Sequence, residues 1–247
     1  MSTPRRRGLS ANLAPASMVA VVALGLVAQA CLDLAALARS ADARDLAASI
    51  ERGIQPDPAY LARFVAADGP AVASGDCGDA ATRSRLTIGL AALDAAERAD
   101  DLSRRDAAVQ DALDFAKLRL ACNPLDGNAW LRFAIVESDA GGPSAEAVEA
   151  LKLSYWSAPN ESWVMAARLP FATRLFLAGA SGFEAEYRDD LRRFADYEPA
   201  DQVAATYVAT PARIKALLRP MIADQPGDRR NAIVALMDRR GLVFDAH

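Results

Sequence analysis

The side chains that most often carry enzyme chemistry are few or scattered in this sequence. Its 247 residues include one histidine, His247, at the last position, which excludes a histidine-based nucleophilic triad and a histidine-rich metal site. Carboxylates remain available for the acid–base chemistry of glycosidic bond cleavage, among them Glu137, Asp139, Glu146 and Glu149. Such pairs arise by chance among 32 acidic residues. We therefore predict a protein that is not an enzyme and that uses no cofactor and no metal.

Two of the three cysteines have a spacing that suits a disulfide. In an antiparallel helical hairpin, the start of the first helix and the end of the second lie at the same end. Cys77 precedes a helical pattern that begins near Thr82, and Cys122 closes the next helical pattern. Disulfides persist in exported proteins. We predict a bond between Cys77 and Cys122, with two unpaired thiols as the alternative.

The large aromatic residues concentrate in the middle of the chain. Helix-packing positions account for Trp130 and Trp163, which we assign to the core. Tyr155 and Trp156 are adjacent, and neighbouring residues on a helix point about 100° apart. One of the two is therefore predicted to reach the surface or a groove, where an amphipathic ring suits a peptide or a sugar.

Three charged residues are candidate polar neighbours of this aromatic pair. They are Arg132, Glu161 and Arg168. Together with Tyr155 and Trp156 they form the predicted binding site.

Composition favours helices as the elements that position these residues. The chain is 52% hydrophobic, with alanine prominent, and only 6% aromatic. Alanine is the best helix former, whereas runs of alternating β-branched residues are nearly absent. The predicted fold class is all-α.

The N-terminal region contains a run that is long enough to cross a membrane. Gly8 to Leu32 is a stretch of 25 residues without a charge, about 37 Å long as a helix, against a hydrocarbon core of about 30 Å. Arginines 5–7 precede it, and flanking arginines stay on the cytoplasmic side. We predict a single-pass anchor of the bacterial inner membrane at residues 9–38, with the body in the periplasm.

Three other interpretations of this N-terminal run remain open. Ala28-Gln29-Ala30 is typical of a signal-peptide cleavage site, and cleavage after Ala30 would release a soluble periplasmic form. Lipidation of Cys31 is another, although the leucine usual at the first position of a lipobox is missing. The last is a buried helix of a soluble protein.

The charge distribution argues against a nucleic-acid partner. Without the three N-terminal arginines, 28 − 3 = 25 basic residues face 32 acidic residues, a net charge of −7. Counterion release from nucleic acid needs a basic face, so this body is not expected to bind nucleic acid or an anionic membrane surface.

A short pattern that ends in tryptophan occurs twice. Pro124 is followed by Trp130, and Pro159 is followed by Trp163, so the prolines are 35 residues apart and the tryptophans 33. This period indicates stacked helical hairpins. The turns predict helices that begin at Asp126, at Ser144 and at Asn160.

These residues resemble the tetratricopeptide repeat. Trp130 matches the aromatic residue near the start of its first helix, Ala134 and Ala147 match the small residues where its two helices cross, and Pro159 matches the closing proline. Glu137 and Leu151 stand where aromatic residues are common. The resemblance implies one full repeat from Asp126 to Pro159 and a degenerate hairpin before it.

The patterns divide the chain into five predicted segments. They are a basic cytoplasmic tail (1–8), the anchor (9–38), juxtamembrane helices and linker (39–80), tetratricopeptide-like hairpins (81–178) and a helical C-terminal cap (179–247).

The expected function is that of a non-catalytic scaffold for a protein partner in the envelope. The layout resembles small anchored repeat proteins that accompany envelope polysaccharide assembly or export. The alternative is a periplasmic protein that binds or processes a glycan with the aromatic cluster and paired carboxylates.

Overall fold

The all-α prediction is confirmed. The computed structural model describes residues 13–73, 75, 77–100 and 102–244, and these residues form helices and no strand. The helices are α1 (Leu13–Arg39), α2 (Ala41–Glu51), α3 (Pro58–Ala73), α4 (Asp79–Arg98), α5 (Leu102–Cys122), α6 (Gly127–Gly141), α7 (Ala145–Ser157), α8 (Ser162–Leu177), α9 (Glu184–Tyr197), α10 (Ala200–Ala209), α11 (Ala212–Ala223) and α12 (Gly227–Asp238).

Helix α1 covers most of the segment predicted to be an anchor. Its described large apolar side chains are exposed, with Met18 at 72% and Leu24 at 69%. Among the residues that the structure describes, no helix combines the length and the apolar character that a membrane span needs. Arginines 5–7 and residues 9–12 lie outside the described residues, and the anchor stays a prediction.

Helices α2 and α3 form a small second core against α4 and α5. Leu46, Leu61 and Val65 pack there with Ile88 and Phe115. Helix α3 continues through Gly69 and Pro70 to Ala73. Residues 68–73, within the segment predicted to hold juxtamembrane helices and a linker (39–80), are therefore helical.

The α4–α5 hairpin is closed at one end by a covalent bond and an ionic network. Cys77 and Cys122 form the predicted disulfide, with their Cα atoms 5.2 Å apart. Beside it, Arg119 donates to the Asp79 carboxylate at 2.5 Å and to the Asp126 carboxylate at 2.7 Å. Arg119 also donates to the Thr82 hydroxyl at 3.1 Å. The start of α4, the end of α5 and the start of α6 are thus joined at one place.

The α6–α7 hairpin has the predicted caps. The Asp126 carboxylate accepts from the Ala129 N–H at 2.9 Å, and the Ser144 hydroxyl accepts from the Ala147 N–H at 3.0 Å. Gly127 lies against the end of α7, where a Cβ on this residue would come within 2.3 Å of the Ala158 Cβ. The two ends of the hairpin therefore approach more closely than any larger residue allows.

One continuous core extends from α4 to α12. It includes Leu86 near its start and Met237 near its end. At the far end, Arg229 donates to the backbone oxygens of Ala195 and Glu198, both at 2.6 Å. This side chain ties the start of α12 to the end of α9, where free helix carbonyls need donors.

Candidate functional site

The structure separates the two adjacent aromatic residues as predicted. Trp156 is 70% exposed, whereas Tyr155 is 6% exposed. The guanidinium carbon of Arg168 lies 4.1 Å from the centre of the Tyr155 ring. Burial raises the pKa of the Tyr155 hydroxyl well above its ordinary value of 10.0. Of this pair, only Trp156 is accessible to a partner.

Arg168 is not a surface ligand group, which corrects its place in the predicted site. It is fully buried and donates to the Asp190 carboxylate at 2.7 and 3.0 Å. It also donates to the backbone oxygen of Ser154 at 2.9 Å and to that of Ala158 at 3.4 Å. Burial raises the pKa of Asp190, and the charge of Arg168 opposes that rise. This side chain closes the end of α7 and holds α9 against α8.

Trp163 corrects the expectation that both tryptophans of the repeated pattern are core residues. It is 57% exposed at the second position of α8, while its neighbours Val164 and Met165 are buried. Trp130 is half-buried, packs edge-on against Phe133 and donates its indole N–H to the Pro124 oxygen at 2.8 Å. Trp163 therefore belongs to the surface, and Trp130 fixes a turn.

The other two predicted site residues lie on different helices. Arg132 is half-buried on α6, where burial lowers its pKa and the charge of Asp94 raises it. Glu161 is exposed at the N-cap position of α8 and makes no side-chain cap. Arg132 and Glu161 thus belong to different elements from Trp156, which lies on α7.

Among the residues that the structure describes, the last helices enclose a groove, which we call the α8–α11 groove. Its volume is about 550 Å³, within the range of ligand-binding clefts. Its described lining consists of Ala166, Leu169, Pro170 and Thr173 of α8; Leu191 and Phe194 of α9; Glu198; Gln202, Thr206 and Ala209 of α10; Thr210 and Pro211; and Ile214 and Leu218 of α11.

The groove has an apolar floor and a polar rim. Leu191, Ile214 and Leu218 are buried in its floor, whereas Gln202 and Thr206 are exposed at its rim. Pro170 has no N–H, so the Ala166 carbonyl on the same wall lacks its usual helical donor. The groove therefore combines apolar contact area with hydrogen-bond acceptors.

A second cavity continues the groove past Glu198. This polar pocket has a volume of about 380 Å³ and lies between the start of α8 and the end of α9. Glu198 lines both cavities, and Tyr197, which is 81% exposed, lines the pocket. Arg193 also lines it and donates to the Pro159 oxygen. The groove and the pocket thus adjoin at Glu198, and we refer to the two together as the trough along α8.

Trp163 lies one helical turn before the groove on α8 and is not among the described lining residues of either cavity. It precedes Ala166 by three residues and Pro170 by seven, and residues at these spacings share one side of a helix. Its neighbour Ser162 lines the polar pocket. The exposed Trp163 ring therefore lies on the side of α8 that faces the groove.

The comparisons with known proteins found no family model, no curated protein and no solved structure that matches this chain.

The trough lies mainly in the region where sequence patterns predicted only a cap. Its α10 wall was not predicted, because Ala200–Ala209 is short and carries a weak amphipathic pattern between Pro199 and Pro211. One signal was present in α8, where Ala166, Pro170 and Thr173 place small or ring-constrained residues on one side. A side of this kind leaves room for another molecule.

Proposed function

We propose that this chain is a non-catalytic, membrane-anchored periplasmic scaffold that binds a protein partner through the trough along α8. The observation that carries the proposal is the α8–α11 groove, an open apolar surface of about 550 Å³, with the exposed Trp163 one helical turn before it on α8. A few residues carry most of the binding energy in protein interfaces, and tryptophan is enriched among them. A chain that uses this surface would hold a partner rather than transform a substrate.

The chemistry of the groove supports binding over catalysis. Glu198 is the one ionisable side chain among the described lining residues of the groove. In the adjoining pocket, Asp196 accepts from the Gln225 amide and Arg193 donates to the Pro159 oxygen, so both groups take part in structural hydrogen bonds.

Photo-crosslinking in intact cells tests whether a protein partner binds at this surface. A photoreactive residue at Trp163 is expected to capture a protein, whereas the same residue at Arg188, on the exposed face of α9, is expected to capture none. In the recovered complex, Trp163→Ala is expected to weaken binding by roughly 2 kcal/mol, about 30-fold. If neither position 163 nor position 209, which lines the groove, captures a protein, the proposal of a protein partner at this surface is overturned.

Export of the body and its anchor are part of the proposal. The charge-free N-terminal run and the exposed apolar side chains of α1 support a membrane-embedded segment. The Cys77–Cys122 disulfide supports an oxidising compartment. The cleaved periplasmic form remains the alternative to the anchor.

We propose that the α4–α5 and α6–α7 hairpins stack as tetratricopeptide-like units. Ala134 and Ala147, at the positions of the small residues in that repeat, are both fully buried, and Gly127 brings the ends of α6 and α7 together. The proposed setting, envelope polysaccharide assembly or export, rests on the resemblance of layout alone.

A glycan partner is the second candidate, and the polar pocket favours it. Asn160, Asp196 and Glu198 line that pocket together with the exposed Tyr197 ring, and sugars pair with such a combination of polar groups and aromatic faces. Retention of the protein on envelope polysaccharide, lost on Trp156→Ala or Trp163→Ala, would favour the glycan over the protein. Passage through that matrix without retention, together with a crosslinked protein, would favour the scaffold.

A further inference from the structure

The walls of the α8–α11 groove have the spacing of one helix facing another. Each wall presents residues at i, i+4 and i+7, namely Ala166, Pro170 and Thr173 on α8 and Gln202, Thr206 and Ala209 on α10. Seven residues of helix extend about 10 Å, or two turns. Most of these side chains are small, so an occupying backbone can come close to both walls.

The charge of the groove restricts the occupant further. Glu198 is half-buried where the groove meets the polar pocket, and its backbone oxygen is fixed by Arg229 at 2.6 Å. An apolar occupant would strip water from this carboxylate, which is unfavourable unless the occupant supplies a cation. The Ala166 carbonyl, which lacks its helical donor, adds a second acceptor on the opposite wall.

We propose that the groove binds an amphipathic helical segment of the protein partner, about two turns long, with a lysine or arginine that pairs with Glu198. The inference rests on the proposed function and names the chemistry of the partner. Apolar residues at i, i+3 or i+4, and i+7 of that segment face the floor formed by Leu191, Ile214 and Leu218. Strand addition is a poorer match, because it needs a sheet edge and the described residues form no strand.

Model peptides test this charge pairing on the full-length protein in detergent. The probe is a fluorescein-labelled helix of about 14 residues with leucines along one face and one lysine at the end of that face; the matched probe has glutamine in place of lysine. Fluorescence anisotropy is expected to show about tenfold tighter binding of the lysine peptide. Glu198→Gln is expected to remove that preference. Equal affinities of the two peptides for the wild-type protein would overturn the inference.

A pair of alanine substitutions tests the location. Ala209 of α10 lines the groove, whereas Ala185 of α9 is exposed and does not line it. Ala209→Trp is expected to weaken peptide binding by at least about tenfold, and Ala185→Trp is expected to leave it unchanged. If both variants bind the peptide as the wild type does, the groove is not its site.

Photo-crosslinking from position 209 in cells separates this inference from the proposed function. An adduct within an amphipathic, basic segment of a protein supports both. An adduct with an acidic or non-amphipathic protein segment overturns the helix inference but leaves the proposed binding of a protein partner standing. An adduct with a lipid or with a second copy of this chain also overturns the helix inference. The absence of protein adducts at both 209 and 163 overturns the two proposals together.

Discussion

Arg168 is fully buried, and its guanidinium donates hydrogen bonds to two helices. It closes the last turn of α7 through the Ser154 and Ala158 oxygens and pairs with Asp190 of α9. A cation at a helix C-terminus is favourable, because that end carries partial negative charge. The arrangement therefore fixes how α7, α8 and α9 meet beneath the polar pocket.

Removal of one member of the buried Arg168–Asp190 pair is expected to destabilise the protein severely. Arg168→Met leaves the Asp190 carboxylate buried without its cation, so the free energy of unfolding is expected to fall by about 3–5 kcal/mol. The double variant Arg168→Met with Asp190→Leu is expected to recover much of that loss. Urea unfolding followed by circular dichroism measures both, and Arg188→Met at an exposed position serves as the control, with a change of about 0.5 kcal/mol or less.

Tyr155→Phe is expected to have the opposite outcome. The Tyr155 hydroxyl is buried and has no hydrogen-bond partner among the described residues, while its ring packs under Arg168. Phenylalanine keeps the ring and removes the unsatisfied hydroxyl, so stability is expected to stay level or to rise by up to about 1 kcal/mol. A decrease of more than about 1 kcal/mol in the free energy of unfolding, measured in the same urea experiment, would show that the hydroxyl is hydrogen-bonded in solution.

Two glycines at the first position of a helix offer a matched test of close packing. A Cβ on Gly127 would meet the Ala158 Cβ at 2.3 Å, whereas a Cβ on Gly227 would meet nothing within 4 Å. Gly127→Ala is expected to lower stability by about 1–3 kcal/mol. Gly227→Ala is expected to be neutral or stabilising. Thermal unfolding that ranks the two variants the other way would contradict the close approach of α6 and α7.

Elements with local end signals were predictable from sequence. The caps at Asp126 and Ser144, and the disulfide that follows from hairpin topology, are confirmed. Predictions failed where contacts between residues distant in sequence decide whether a side chain is buried. Arg168 looked like a surface charge because Asp190, its partner, lies 22 residues away, and Trp163 looked like a core residue because its exposure depends on how α8 docks.

The covalent closure of the α4–α5 hairpin has a measurable thermodynamic effect. A disulfide across 45 residues restricts the unfolded chain, so its loss is expected to lower the free energy of unfolding by roughly 4 kcal/mol. The comparison is wild-type protein with and without reductant. The double variant Cys77→Ser with Cys122→Ser should match the reduced protein and should not respond to reductant; a response would point to Cys31.

The whole molecule joins an N-terminal helix with exposed apolar side chains to a folded body in which several helices line the trough. The trough needs α8, α9, α10 and α11 together, and no single stretch of sequence contains its chemistry. Sequence patterns therefore predicted helices and helix ends. The proposed binding surface could be identified only from the three-dimensional arrangement of the helices.

The proposed anchor can be tested on the whole protein. Intact mass spectrometry of the purified protein is expected to show the chain uncleaved at Ala30, and alkaline carbonate is expected to leave it in the membrane fraction. Replacement of residues 1–38 by a cleavable signal peptide is expected to release the body into the soluble periplasmic fraction. A mass that begins at Cys31 would favour the cleaved or lipidated alternatives.

The bond between Cys77 and Cys122 also determines how tension passes through the chain. If an anchored N-terminus and a partner held by the C-terminal helices pull in opposite directions, force enters at Cys77 and leaves at Cys122 through the sulfur atoms. The backbone of the intervening hairpin is bypassed by this covalent path. In an optical trap, the oxidised protein should therefore extend by about 150 Å less than the reduced protein, the contour of 45 residues at roughly 3.4 Å each.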